Sequence, residues 1–226
     1  MDEKMRKALL IFAVLFLTSC AGLGRYVVSP SEKHVPSGTS QLVSVSPTRP
    51  GRPAVMTVWE RSTKGWRRVF GPWPAAVGRN GFAPAGEKIE GDGRTPTGLF
   101  DLGVAFGREE NLKTGLAYRQ LTPDDFWIDD IASPRYNHWA QGIPHDATSY
   151  ETMLRPDGLY DLGAVIRYNM DPVVSGQGSA IFLHIWHNGG RKPTAGCVAL
   201  DRERLRTLLG WLDANKHPAV WLDPKH

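Results

Sequence analysis

The chain has 226 residues, 41% hydrophobic and 22% charged, with a formal net charge of +4. Length and composition suit one globular domain with a proper core and some extension. The charge is mild and forms no basic stripe interleaved with aromatics, so nucleic acid is excluded as an expected partner. No glycine-rich phosphate loop precedes a helix, which disfavours nucleotide binding.

Lys4, Arg6 and Lys7 followed by the apolar run 8–17 read as an export signal, residues 1–19, too short for a stable membrane-spanning anchor. Leu17-Thr18-Ser19-Cys20 resembles a bacterial lipobox. That resemblance implies cleavage before Cys20, lipidation of Cys20 and a periplasmic, lipid-anchored protein; a plain secretory peptide or an uncleaved anchor is the alternative. Ala21, where the enteric pattern has an aspartate that retains lipoproteins at the inner membrane, points to the outer membrane. With Cys20 lipidated, Cys197 has no disulfide partner in an oxidising compartment, a sign of reactivity.

Residues 20–53 are rich in Ser, Pro, Thr and Gly and read as a flexible tether, with the folded domain expected over 54–226. Residues 55–60 and 65–70 predict a hairpin with its turn at Ser62-Thr63-Lys64-Gly65. The Gly- and Pro-punctuated run to Gly98 is expected as loop; a calcium site at Asp92 lacks the 12-residue ligand pattern. Residues 101–160 show the least regular pattern. There Trp127, Asp129, Asp130, Tyr136, Asn137 and Trp139 either line a groove or pack locally beneath a long loop. Asp129 and Asp130, adjacent on an extended chain, point apart and make a poor acid/base couple.

Residues 164–169 predict a strand paired with a second one over 180–186, which places Phe182, His184 and Trp186 on one face and Leu183 and Ile185 on the other. The chain then turns through Asn188-Gly189-Gly190 towards Gly196 and Cys197. An imidazole beside a thiol suits acyl transfer, with the N–H groups around Cys197 and the Thr194 hydroxyl as candidate oxyanion donors. An inert buried cysteine, or a zinc site from His184, His187 and Cys197, stays open on these residues alone. Residues 201–215 predict a helix capped by Asp201, with Leu205, Leu208, Leu209 and Leu212 as its core stripe, and 219–222 a closing strand. Strands outnumber helices and are separated by Gly/Pro turns, so the expected fold is mainly β: a sandwich of mixed sheets with a few short helices.

His184 with Pro193-Thr194-Ala195-Gly196-Cys197-Val198-Ala199-Leu200 resembles the signature of the YkuD-type L,D-transpeptidase family, a strand histidine preceding Ser/Thr-x-Gly-Cys. Residues 78–100 (GRNGFAPAGEKIEGDGRTPTGLF), 126–139 (FWIDDIASPRYNHW) and 164–169 (AVIRYN) agree with one branch of it, so the resemblance spans about residues 75–222. It implies Cys197 as nucleophile, His184 as base, a thioester formed from a peptidoglycan stem peptide, and no cofactor or metal. The acceptor would be an amine on another stem or on a wall-attached protein. Gly196 and Thr194 would assist, and His187, Trp186, Ala195, Tyr136, Asn137 and Arg94 are candidate substrate contacts, with Lys88 beside Arg94 facing a substrate carboxylate. The family commonly has arginine two residues after the cysteine; here Ala199 stands there, which bears on substrate choice. The alternatives are hydrolysis of the same thioester, as an L,D-carboxypeptidase or amidase, and a non-catalytic wall-binding module.

Overall fold

A computed structural model describes residues 27–31, 33–49, 53–190 and 192–223. The predicted export signal, the lipobox and Cys20 lie outside these residues. In chain order the strands are β1 (Gln41–Ser46), β2 (Ala54–Ser62), β3 (Gly65–Ala75), β4 (Gly98–Gly107), β5 (Tyr118–Gln120), β6 (Asp125–Ile128), β7 (Trp139–Gln141), β8 (Tyr150–Thr152), β9 (Leu162–Ile166), β10 (Phe182–Ile185) and β11 (Val198–Leu200). Helix α1 (Arg202–Trp211) and strand β12 (Ala219–Leu222) complete the fold, with 3-10 turns at Asn188–Gly190 and Ala214–Lys216.

The large sheet runs β11-β10-β9-β4-β12-β1-β2-β3, with β5 beside β4, and mixes parallel pairs (β10 with β11, β12 with β1) with antiparallel ones. It curls until its two ends meet: just beyond β3, Ala76 exchanges backbone hydrogen bonds of 2.9 Å with Ala199 of β11. A small sheet, β7-β6-β8, forms beside it. The fold is therefore mainly β, as the turn-punctuated sequence implies.

The predicted hairpin forms as β2 and β3, β9 pairs antiparallel with β10, and β12 occupies 219–222. Asp201 caps α1 by accepting from Arg204 N, but the helix ends at Trp211, earlier than the predicted 215, because Leu212 is extended and Asp213 starts the next turn. Leu205, Leu208, Leu209 and Leu212 pack with Leu183, Ile185, Val198 and Leu200 in the main core. Each such leucine, once buried, contributes about 1.5–3 kcal/mol. The helix thereby fixes the back of β10 and β11.

Two expectations require correction. The sequence predicts a tether as far as residue 53, yet β1 is a fully buried strand between β12 and β2. Its polar residues disguised it. Gln41 bridges Trp211 O and Asp213 N (both 2.8 Å), and Ser44 Oγ accepts from Trp59 Nε1 at 2.9 Å. Gln41 and Ser44 thus gain partners distant in sequence, which offsets the cost of burying them. The preceding segment is fastened too: Val35 is buried and Arg61 donates to the Thr39 and Pro36 carbonyls. Second, the region read as irregular opens with the ten-residue β4, whose glycines dilute its apolar pattern. Close packing crosses the β4/β9 pair: a Cβ on Gly163 would lie 2.5 Å from the ring of Phe106.

Candidate active site

Strand β10 sorts its side chains between two cores. Leu183 and Ile185 enter the main core with the helix leucines, while Phe182 joins an aromatic cluster of Phe106, Trp127 and Tyr160 that also includes Cys197. Alternation puts His184 on the Phe182 side, where the edge of its ring meets Tyr160 at 5.3 Å between centroids. Its Nδ1 lies 2.7 Å from the Ile185 carbonyl oxygen. A carbonyl only accepts, so Nδ1 carries the proton and Nε2 keeps a lone pair. Burial lowers the imidazole pKa to about 4, so it is neutral at pH 7.

Cys197 stands one residue before β11, which runs parallel to β10 with Val198 opposite Leu183 and Ala199 opposite His184. The thiol donates to Ala180 O at 3.1 Å and accepts from Phe182 N at 3.3 Å. Burial, reinforced by the nearby Glu151 carboxylate, pushes its pKa up to about 12. The resting pair is therefore neutral thiol and neutral imidazole, not a preformed ion pair. Both line one cavity of about 370 Å³ with Thr194, Ala195, Gly196 and His187.

The turn before the cysteine is internally bonded. Thr194 Oγ1 donates to Cys197 O at 2.6 Å and accepts from Gly196 N at 3.2 Å. This alters the expected oxyanion roles: the Thr194 hydroxyl and the Gly196 N–H are spent on shaping the turn. The Cys197 N–H has no partner among the described residues. Gly196 also permits close packing, since a Cβ there would sit 3.0 Å from Arg94 O and 3.1 Å from Ile181 Cδ1.

Four predicted substrate contacts do not line this cavity. Asn137, in the left-handed region at φ 59°, is buried behind it. Its Oδ1 accepts from Trp127 Nε1 (3.0 Å) and Ala180 N (3.1 Å), and its Nδ2 donates to the Tyr168 (3.0 Å) and Asn169 (2.7 Å) carbonyls. It thus clamps the residue whose carbonyl accepts the Cys197 thiol. Tyr136 is buried and donates to Glu90. Trp186 borders a separate shallow recess with residues 201–204, its ring covered by Gly190. Arg94 donates to Phe82 O at 3.3 Å, and its own carbonyl backs Gly196. Lys88 does line the cavity, but its ammonium is committed to Asp92 (2.8 Å) and Ile89 O (2.7 Å).

Several lining residues were not among the predicted contacts: Glu151, Arg155, Asp157 and Tyr160, from β8 and the loop to β9, together with Glu90, Ser179, Arg79 and Lys192. Tyr160 donates to Glu151 Oε2 at 2.6 Å, and Arg155 pairs with Asp157 while lying over the Tyr160 ring at 5.1 Å. Burial raises the proton affinity of both Glu151 and Tyr160. Among the described residues no three His, Cys, Asp or Glu side chains converge as a metal ligand set.

Residues 49–220 match the family model described as the L,D-transpeptidase catalytic domain (YkuD). No curated protein and no solved structure gives a significant match.

Proposed function

Because the chain belongs to the L,D-transpeptidase catalytic domain family, we propose that it crosslinks or remodels peptidoglycan stem peptides through a thioester on Cys197. The observation that carries this reading is the convergence of the Cys197 thiol and the His184 imidazole on one cavity, with the Cys197 N–H uncommitted beside them. His184 Nε2, the lone-pair nitrogen, takes the thiol proton as Sγ attacks the donor carbonyl. Pre-ionisation is unfavourable for a thiol pushed up to about 12 and an imidazole lowered to about 4, so proton transfer accompanies attack. The tetrahedral oxyanion forms next to the Cys197 N–H, a fixed donor in a poorly hydrated site. His184 then protonates the departing amine of the donor's terminal D-residue, and an acceptor amine resolves the thioester.

Export and attachment enter the proposal from the sequence alone: cleavage before Cys20, lipidation of Cys20 and residence at the periplasmic face, on the outer membrane. With residues 35–46 packed into the body, the tether in this proposal is the short stretch that follows Cys20.

The test is incubation of the purified full chain with a disaccharide tetrapeptide stem, products read by mass spectrometry beside a Cys197→Ala control. Crosslinked dimers or exchange of the terminal D-residue, absent in the control, are expected. Tripeptide as the sole product identifies a hydrolase, and no cysteine-dependent product refutes the catalytic reading.

A further inference from the structure

Three carboxylates line the cavity without a cation partner among the described residues: Glu90, Asp129 and Glu151. Each is held by hydroxyl groups instead. Glu90 accepts from Tyr136 and, at 2.7 Å, from Ser179; Asp129 accepts from Ser149; Glu151 Oε2 accepts from Tyr160. The second Glu151 oxygen has no partner among the described residues. The cavity's other carboxylate, Asp157, is spent on Arg155, as Lys88 is spent on Asp92. Glu90 and Asp129 are close enough to Glu151 for their charges to add to burial in raising its proton affinity, against the opposing pull of Tyr160 and Arg155.

Hydroxyl donors orient a carboxylate but do not neutralise it, so three such groups around a partly dry cavity repel one another. Arg79 and Lys192 line the same cavity without a carboxylate partner among the described residues, but the charges acting most strongly on Glu151 are those of Arg155, Asp129 and Glu90. A cation arriving beside Glu151 relieves the repulsion there; neutral water does not. Resting on the transpeptidase reading above, we propose that this wall seats the ammonium group of the acyl acceptor and that Glu151 takes its first proton. The ammonium R–NH3+ gives one proton to the Glu151 carboxylate and becomes a nucleophilic amine. Its nitrogen bonds to the thioester carbonyl carbon, the C–S bond to Cys197 breaks, and the second nitrogen proton passes through His184 to the departing Sγ. The products are the amide, a neutral thiol and a Glu151 carboxylic acid that returns its proton to water. Hydrolysis uses an uncharged nucleophile and has no need of the wall, so the three carboxylates bias the thioester towards amines over water.

The experiment uses the full chain, a tetrapeptide stem as donor, and glycine or its hydroxy analogue glycolate as acceptor. Adduct and hydrolysis product are counted by mass spectrometry per molecule of acyl-enzyme formed. Glu151→Gln is expected to lower the glycine-adduct to hydrolysis ratio at least about tenfold, the lower edge of what a positioned acid/base group contributes, and to change the glycolate ratio less than twofold. Asp129→Asn, which leaves the Tyr160 contact in place, is expected to lower the glycine ratio about threefold and decides the matter should Glu151→Gln fail to fold. Unchanged glycine ratios in variants that form acyl-enzyme overturn the assignment of Glu151 and leave the function intact. Absence of acyl-enzyme in the unsubstituted chain overturns both.

Discussion

Replacing Asn137 by alanine removes one side chain that holds four groups at once. Trp127 Nε1 and Ala180 N lose their acceptor, and the Tyr168 and Asn169 carbonyls lose their donors. A buried polar group left unpaired costs about 1–3 kcal/mol, while water admitted to the vacated space recovers part of it for the carbonyls. Alanine held in the left-handed region adds about 1 kcal/mol, since φ at this position is 59°. The expected loss is about 3–6 kcal/mol, a large share of the roughly 5–15 kcal/mol that keeps a domain folded. Guanidinium denaturation measures it. The functional consequence has a distinct sign, because Ala180 O is the acceptor that holds the Cys197 thiol. Freed from it, the thiol is expected to react faster with iodoacetamide, while turnover of a tetrapeptide stem falls at least about tenfold through lost alignment. A stability loss below about 1 kcal/mol with turnover within twofold of the unsubstituted chain would refute the clamp.

The remaining expectations concern titration, the cysteine turn and the first strand. His184, at about 4 against an ordinary 6.5, refuses a proton that the unfolded chain accepts. Its contribution is therefore complete above pH 6.5 and lost as pH falls to 4, amounting to about 3 kcal/mol, and His184→Gln should flatten that part of the stability curve. Cys197, at about 12 against 9, acts on the alkaline side: stability falls as pH rises from 9 to 12, and alkylation shows no thiolate plateau below pH 10. Thr194→Val orphans the Cys197 carbonyl and the Gly196 N–H. It should cost about 1–2 kcal/mol by thermal unfolding and slow acylation without abolishing it. Deleting residues 27–46, harmless if they were tether, is expected to leave no cooperative unfolding transition, because β1 separates β12 from β2.

The sequence made the rigid parts of the site legible because local rules govern them. Strand alternation assigned Phe182 and His184 to one face and Leu183 and Ile185 to the other, and the leucine period with the Asp201 cap marked α1. The hairpin turn and the strand over 219–222 followed from the same short-range logic. β1 escaped because half of its residues are polar and their partners, Trp59, Trp211 and Asp213, are named by no local pattern. Tyr136 and Asn137 stand out in an irregular loop, but nothing in their spacing says whether such residues face a substrate or a backbone. The structure gives both to the protein: one anchors Glu90 and the other Ala180.

The cavity's charge pattern was illegible for a deeper reason. Glu90, Asp129 and Glu151 come from three separate segments, and each is ordinary in its own stretch of chain. Their significance lies in what fails to pair with them once the chain is folded. Lys88 lies two residues from Glu90 yet reaches Asp92, and Arg155 lies four residues from Glu151 yet reaches Asp157. Both cations are thus withdrawn from the carboxylates that sequence proximity would assign them. A surface protein gains little from such selective pairing, since exposed ion pairs are worth about 0–1 kcal/mol. Inside a cavity that also holds a thiol and an imidazole, the same selection leaves Glu90, Asp129 and Glu151 grouped on one part of the lining, although Arg79 and Lys192 line the same cavity. Burial first and the Glu151 charge second raise the thiol's pKa in the resting site, against the opposing pull of Arg155 and Lys88; the Glu151 charge is thus a cost to acylation that becomes favourable when an ammonium group arrives. The arrangement therefore suits the second half of an acyl transfer, where the thiol is already esterified and the group entering the cavity is the one that carries positive charge.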